Sequence, residues 1–238
     1  MNDEQTKLQQ GRHHDPFNYL GRHELGDGQV IRCFMPSAEQ VTLKDFGPMS
    51  RVPGTDIFQA RLNPLQAQQV AHHYELNWQE KHDESVHKAV SPYSFEPQLT
   101  ELDLHLFGEG KHQQAWRFLG SHLTTIDDVE GCLFAVWAPN VLRVSVVGDF
   151  NGWNGLRHPM RNRGQSGIWE LFIPGLHDGD AYKFEIVSAN KHVFTKADPY
   201  ATRMGLRPET TSLAVSYTHL RAHETRYTIS YAVFCLKS

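Results

Sequence analysis

The residues whose types and spacing best suit contact with a ligand lie in one aromatic turn, GDFNGWN at positions 148–154. The Asn151-Gly152 pair favours a turn that requires a positive φ, and such a turn directs the side chain of Trp153 outward. An exposed indole provides a flat apolar face against which a ligand ring can stack. Asn151 can either bond a ligand or cap the turn, and the sequence leaves both interpretations open. The chemistry that these residues suit is reversible binding.

Three strands must position this turn. The β-branched run VLRVSVV at 141–147 precedes it, and the runs IWELFI at 168–173 and AYKFEIV at 181–187 follow it. In the last run, Lys183 and Glu185 alternate with apolar residues, which places both on the polar face of the strand. Short strands separated by Pro-Gly and Asp-Gly turns are typical of an antiparallel, immunoglobulin-like β-sandwich.

The first half of the chain repeats this pattern. LGRH at 20–23 returns as LGSH at 119–122, and IFQARL at 57–62 returns as IWELFI at 168–173, about 100 residues later, which is the size of one sandwich. We therefore predict an all-β fold of two tandem immunoglobulin-like β-sandwiches with a short helical linker. The predicted segments are a loose N-terminus at 1–14, a degenerate N-terminal sandwich at 15–99, a helical linker at 100–118, a second sandwich at 119–214 and a tail at 215–238.

Composition argues against several classes of function. The net charge of −4 and the lack of a dense Lys/Arg cluster argue against nucleic-acid binding, and no apolar run approaches the ~20 residues that a membrane span needs. The three cysteines are far apart and form no CxxC pair, which favours a reduced, cytoplasmic protein. The 15 histidines form no HExxH motif or Cys/His cluster, so we expect no metal and no cofactor.

A series of motifs carries a resemblance to a known family. GDFNGWN, GIWELFIPG, YKFEI, ADPYA and RPETTS follow one another between positions 148 and 212. They resemble the glycogen-binding module, of the carbohydrate-binding module 48 type, that precedes the catalytic barrel in bacterial 1,4-alpha-glucan (glycogen) branching enzymes. The beta subunit of AMP-activated protein kinase carries the same type of sandwich. The start DPFNYLGRHE, at 15–24, resembles the N-terminal extension of those branching enzymes.

This resemblance implies a function for the chain. A branching enzyme transfers segments of α-1,4-glucan to form α-1,6 branches in glycogen biosynthesis, and its catalytic carboxylates lie on a barrel of roughly 250 residues or more. The chain contains no such barrel, so we expect a non-catalytic N-terminal fragment without catalytic residues. Its implied partners are α-glucan (glycogen, amylose or maltooligosaccharide) and the catalytic barrel of the full-length parent.

The resemblance also assigns roles to individual residues. It implies that Trp153 stacks on the apolar face of a glucose ring and that Lys183 donates a hydrogen bond to a sugar hydroxyl. Asn151 is the third carbohydrate-binding candidate. A site of this kind needs only an exposed aromatic face with polar groups beside it, because a sugar ring has apolar faces and an equator of hydroxyls.

Other positions of the kinase-type site, and two further tryptophans, differ from Trp153 in their expected roles. The kinase-type module has a second tryptophan where this chain has Phe194 or Thr195, and an asparagine where this chain has positions 208–209. Half of the kinase-type site is therefore absent from this sequence. Trp137 and Trp169 occupy strand positions that predict core packing.

The tail and the type of parent protein leave alternatives open. From Val215 onward, VSYTHLRAHET resembles the conceptual translation of a sequencing-library adapter, although the later alternation of Tyr227, Ile229, Tyr231 and Val233 also fits a native strand pair. The alternative functions are a free-standing glucan-binding regulatory module and the N-terminus of a related debranching or trehalohydrolase enzyme. The double sandwich and the RPETTS motif favour the branching enzyme.

Overall fold

A computed structural model describes residues 2–81, 83, 85–206 and 210–215. The described residues form antiparallel sheets with three short α-helices, which confirms the predicted all-β class. The predicted tail at 215–238 lies outside the described residues apart from its first position, and positions 208–209 lie outside them as well. No helix in the described part of the chain is long and apolar enough to cross a membrane.

The N-terminal segment contains a capped helix, at a place where its polar composition predicted either a loose helix or a disordered segment. Helix α1 spans Asp3–Gln9 and begins with a capping box, in which the side chains of Asn2 and Gln5 each accept a hydrogen bond from the other residue's backbone N–H. Leu8 is buried in a small cluster that includes Leu20. One anchored leucine and a complete cap order this helix, and composition alone does not reveal either feature.

In the residues that the structure describes, the first sandwich contains eight strands and a helix. Its core is a cluster of buried aliphatic and aromatic residues that includes Ile31, Leu43 and Phe58. Helix α2, which the sequence analysis did not anticipate, is capped by the side chain of Asn63. The elements are β1 Gly21–Leu25, β2 Gly28–Phe34, β3 Ala38–Leu43, β4 Gly47–Pro48, β5 Ser50–Arg51, β6 Ile57–Leu62, α2 Pro64–Gln69, β7 Glu75–Glu80 and β8 Val86–Val90. One sheet has the order β1-β2-β6-β5 and the other the order β4-β3-β7-β8.

The linker is only partly helical. Helix α3 spans Glu101–Gly108, and a single 3-10 turn follows at Ala115–Arg117. Glycine at positions 108 and 110 limits the helix, because glycine favours its end over its continuation. Leu104 and Phe118 of the linker pack with Ala135 and Ile168 of the second sandwich. The linker is therefore part of the second sandwich's hydrophobic cover.

The second sandwich contains the three strands on which the prediction rested. The predicted runs at 141–147, 168–173 and 181–187 coincide with β11, β13 and β14 in the following assignment. The strands are β9 Gly120–Ile126, β10 Val129–Trp137, β11 Val141–Gly148, β12 Arg161–Asn162, β13 Ile168–Pro174, β14 Ala181–Ser188, β15 Val193–Lys196, β16 Arg203–Met204 and β17 Ser212–Leu213. One sheet has the order β12-β13-β10-β9 and the other β11-β14-β17-β16, with β15 also paired to β14.

The two strand tryptophans differ in their environment. Trp169 is 1% exposed and its Nε1 donates to the backbone oxygen of Ala138 at 2.9 Å, which confirms its predicted core position. Trp137 is 54% exposed, so its predicted core position is wrong. It is the last residue of β10 and lies at the margin of the cover that α3 provides, where its ring meets the edge of Phe107 with centroids 6.1 Å apart.

The two sandwiches contact each other directly. Arg157 Nη1 donates to Glu80 Oε1 at 2.7 Å, and the Tyr93 hydroxyl donates to the backbone oxygen of Pro159 at 3.3 Å. A cavity of about 480 Å³ lies between the sandwiches, and His158 is part of its lining.

Candidate functional site

Asn151 is a structural residue of the aromatic turn. Its side chain is buried, its Oδ1 accepts from the Gly148 backbone N–H at 3.1 Å, and its Nδ2 donates to the Val146 backbone oxygen at 2.9 Å. The second amide hydrogen points to Nδ1 of His158 at 2.8 Å. Because both amide hydrogens are used inside the protein, the contacts favour the capping interpretation over a sugar contact.

The turn presents Trp153 at the surface. Gly152 and Trp153 both have a left-handed backbone, with φ of 62° and 57°, and the Trp153 N–H donates to the Gly148 oxygen at 2.9 Å. A bulky residue rarely adopts this conformation, so the turn holds Trp153 in an unfavourable backbone state. Trp153 is 38% exposed, and its Nε1 donates to Asp149 Oδ1 at 2.7 Å. The ring is thus oriented by one hydrogen bond.

The turn depends on glycine at position 152. Gly152→Ala is expected to lower the free energy of unfolding by about 1 kcal/mol, because an L residue is strained in the left-handed region. A Cβ at this position meets no atom within 4 Å, so the cost is one of backbone conformation alone. Urea denaturation measures it. Gly108→Ala is the comparison, because it also meets open space but has no positive φ, and at the end of α3 alanine is expected to keep or raise the midpoint. A Gly152→Ala midpoint equal to that of the unaltered chain contradicts the prediction.

A cleft of about 570 Å³ lies beside Trp153. It is lined by the N-terminal segment 10–12, by the turn at 152–156 and by side chains of β11, β14 and β15. We call it the Trp153 cleft. It brings together one aromatic ring and several polar groups from separate parts of the chain. This combination is expected of a binding site for a small polar ligand.

A buried ion pair lines this cleft. Arg143 Nη2 donates to Glu185 Oε1, and the two side chains are 4% and 17% exposed. Burial lowers the pKa of the Arg143 guanidinium, and the charge of Glu185 opposes that shift. The sequence placed Glu185 on the polar face of its strand but gave no sign that the chain's N-terminus covers this face. Sequence reasoning therefore missed this pair as part of a site.

Lys183 lies close to the turn along the sheet. It pairs with Val147 across β11 and β14, one residue before the Gly148 that accepts from Trp153. Its Nζ donates to Thr210 Oγ1 at 2.8 Å. Among the described residues, Lys183 is not part of the cleft lining. The structure places Lys183 and Trp153 at the same end of the sheet without bringing them into one cavity.

The position of the missing second tryptophan lies on β15. Phe194 pairs with Ile186 and is exposed, and Thr195 pairs with Glu185 of the cleft. Val193 lines the Trp153 cleft, whereas Phe194 does not belong to its lining among the described residues. Within the described structure, β15 therefore offers no second aromatic platform at this point of the cleft. No group of His, Cys, Asp and Glu suited to a metal ion occurs in the described part of the chain.

Two family models match the chain on either side of the linker. The model of the alpha-1,4-glucan branching enzyme GlgB N-terminal domain matches residues 1–93, and that of carbohydrate-binding module 48 (isoamylase N-terminal domain) matches residues 118–201. The chain is a relative of the N-terminal region of branching enzymes. Trp153 and Lys183 lie in the part that matches module 48, and the cleft segment 10–12 lies in the part that matches the branching-enzyme N-terminal domain.

Curated relatives bear the same enzyme name. The chain is 56% identical over 207 residues to 1,4-alpha-glucan branching enzyme GlgB of Thiobacillus denitrificans, covering 87% of this chain and 28% of that protein. It is 48% identical over 213 residues to the GlgB of Hydrogenovibrio crunogenus, covering 89% of this chain and 29% of that protein. The chain thus spans less than a third of the length of these branching enzymes.

Among solved structures, pullulanase from Bacillus acidopullulyticus matches 70% of this chain and 19% of its own chain. The sequence identity is 16% and the TM-score is 0.35. A likeness at this level adds nothing to the branching-enzyme relationship, which rests on the sequence relatives and the two family models.

Proposed function

We propose that this chain binds α-glucan through its second sandwich and that it serves a branching enzyme by holding the polymer near a separate catalytic barrel. The observation that carries the proposal is the exposed, hydrogen-bonded indole of Trp153 beside an open cleft, in the part of the chain that matches carbohydrate-binding module 48. The transfer of α-1,4 segments to α-1,6 branch points is the activity of the proposed parent, and the barrel supplies its catalytic residues.

The binding mechanism follows from the chemistry of a glucose ring. One apolar face of the sugar stacks on the Trp153 indole, which contributes on the order of 1–2 kcal/mol by burial of apolar area. Lys183 is the proposed donor to a hydroxyl of a neighbouring unit. A site of this kind reaches an affinity of roughly 1 mM, or about −4 kcal/mol. Weak binding suffices here, because a tethered module raises the local concentration of polymer.

Trp153→Ala is the test of this function. We expect its affinity for maltoheptaose to fall about tenfold, which corresponds to roughly 1.4 kcal/mol of lost stacking. Titration calorimetry measures the loss, and migration in a gel that contains glycogen gives an independent readout.

The matched control is Trp116→Ala, because Trp116 is an exposed tryptophan of the linker outside the Trp153 cleft. If Trp153→Ala binds maltoheptaose as tightly as the unaltered chain does, Trp153 has no role in glucan binding. If both variants lose affinity equally, the effect is not specific to the cleft.

We also assign the protein to the cytoplasm. Cys33 and Cys132 are buried and free, and burial raises the pKa of the Cys33 thiol to about 12. Both thiols stay protonated and inaccessible at neutral pH, and neither is built into a disulfide. This usage fits a reducing compartment.

A further inference from the structure

We infer that the N-terminal extension supplies the second wall of the Trp153 cleft, so that α-glucan is held between residues 10–12 and Trp153, over the Arg143–Glu185 ion pair. This inference rests on the proposed function, and it adds binding residues from a different domain. The glucan site then consists of residues from both regions that match a family model. The N-terminal extension takes the place of the missing second aromatic platform.

The N-terminal wall is held in place by its own backbone. After α1 ends, the Gly11 N–H donates to the Leu8 oxygen at 2.9 Å and the Arg12 N–H donates to the Lys7 oxygen at 2.8 Å. Leu8 is buried and anchors the helix. Residues 10–12 are therefore a fixed edge of the cleft with defined backbone hydrogen bonds.

The N-terminal wall packs directly against the ion pair of the cleft, at Gly11. Gly11 has a φ of 59°, and a Cβ at this position would collide with the guanidinium of Arg143 and with Leu156 of the turn. Only glycine fits both the backbone conformation and the space. The extension is thus packed against the same arginine that carries the ion pair of the second sandwich.

The ion pair is chemically suited to hydroxyl groups. Arg143 is more than nine-tenths buried, and its Nε has no hydrogen-bond partner within the described structure. Glu185 is more exposed than Arg143, and a carboxylate that accepts one bond from arginine retains capacity for hydroxyl donors. Bonds from a sugar hydroxyl to an ionised carboxylate are stronger than bonds between neutral groups. The pair can therefore bind a neutral polyol without holding an unpaired charge.

The two walls differ in chemistry, as a sugar ring requires. Trp153 offers an apolar face on one side, and Gln10 and Arg12 offer amide and guanidinium donors on the other. The cleft volume of about 570 Å³ lies within the range of roughly 300–1,000 Å³ that is usual for small-ligand sites. Maltoheptaose is a suitable probe, because one part of a short α-glucan can fill the cleft while the rest follows the surface.

The test is a double variant, Gln10→Ala with Arg12→Ala, in the full chain. Gln10 is exposed and Arg12 is half-buried, so truncation of both side chains leaves the helix and its anchor intact. We expect the affinity for maltoheptaose to fall about threefold to tenfold, because one or two hydrogen bonds are lost. The matched control is Arg61→Ala with Gln69→Ala, which removes the same two residue types from exposed positions outside the cleft.

The outcomes separate this inference from the proposed function. If Trp153→Ala weakens binding while the Gln10/Arg12 variant binds like the control, the glucan site stands and the second wall is refuted. If the unaltered chain does not bind maltoheptaose, the proposed function fails and this inference fails with it. Arg12 and Lys191 both line the cleft, so the cleft is also tested as an anion site, with inorganic phosphate as the competitor. Displacement of maltoheptaose by an equal concentration of phosphate also overturns the inference.

Discussion

Glu170→Ala is expected to lower the free energy of unfolding by about 3–5 kcal/mol, because it removes the buried carboxylate that pairs with Arg163 and leaves the backbone N–H of Leu99 without its acceptor. Glu170 Oε1 accepts from Arg163 Nη1 at 2.8 Å, and Oε2 accepts from the backbone N–H of Leu99 at 3.0 Å. Arg163 Nη1 also donates to the Leu99 oxygen at 2.9 Å. One carboxylate of β13 thus ties Leu99, the residue just before the linker, to the second sandwich.

The chain contains a matched control for this variant. Arg163 Nη2 also contacts Glu101 Oε1 at 2.7 Å, but the Glu101 side chain is 88% exposed, whereas that of Glu170 is 3% exposed. Exposed ion pairs contribute about 0–1 kcal/mol, so Glu101→Ala is expected to change stability little. Urea denaturation of both variants measures the difference. Similar midpoints for Glu170→Ala and Glu101→Ala would show that burial of the Arg163–Glu170 pair adds nothing to the stability of the protein.

The sequence predicted the parts of the fold that depend on alternation and local turns. The strand β14 was found because its apolar residues alternate with polar ones, and β11 and β13 were found as short β-branched or apolar runs bounded by turn residues. The outward placement of Trp153 followed from the demand of the Asn151-Gly152 turn for a positive φ. Both signals are contained in a few neighbouring residues, so no knowledge of distant packing was needed.

The features that the sequence missed depend on what covers each strand. Trp137 has the same apolar neighbours in sequence as a core residue. The linker residues that cover this sheet do not reach far enough to bury it. Arg143 lies on the polar face of β11 and is nevertheless buried, because the N-terminal segment at Gly11 packs against it. Contacts between segments more than 100 residues apart leave no periodic trace in either one. The Trp153 cleft could therefore be predicted only in its aromatic half.

Acid is expected to destabilise the aromatic turn through His158. Burial, together with the charge of Arg157, lowers the pKa of His158 from 6.5 to about 3. The unfolded chain takes up this proton as the pH falls below about 6.5, whereas the folded chain does not. The contribution to stability is therefore complete above about pH 6.5 and is lost as the pH falls toward 3.

The size of the effect follows from the shift and from the exposure of the ring. A shift from 6.5 to about 3 corresponds to at most about 5 kcal/mol, and solvent screening of this partly exposed residue reduces the expected loss to about 3 kcal/mol. Protonation also removes the Nδ1 acceptor that Asn151 uses. In the folded chain this protonation occurs only near pH 3, so the fraction of chain that remains folded is expected to bind maltoheptaose unchanged while stability falls between about pH 6.5 and 3.

His158→Asn isolates this contribution. The Asn Oδ1 can replace the Nδ1 acceptor for Asn151, but the side chain cannot take up a proton. We expect the variant to be less stable than the unaltered chain at pH 7, since ring packing is lost, and to lose less stability between pH 7 and pH 4. Burial also lowers the pKa of His122 and raises that of Asp198, so the difference between the two pH profiles is the relevant quantity. Parallel profiles would exclude His158 as the group that makes this turn sensitive to acid.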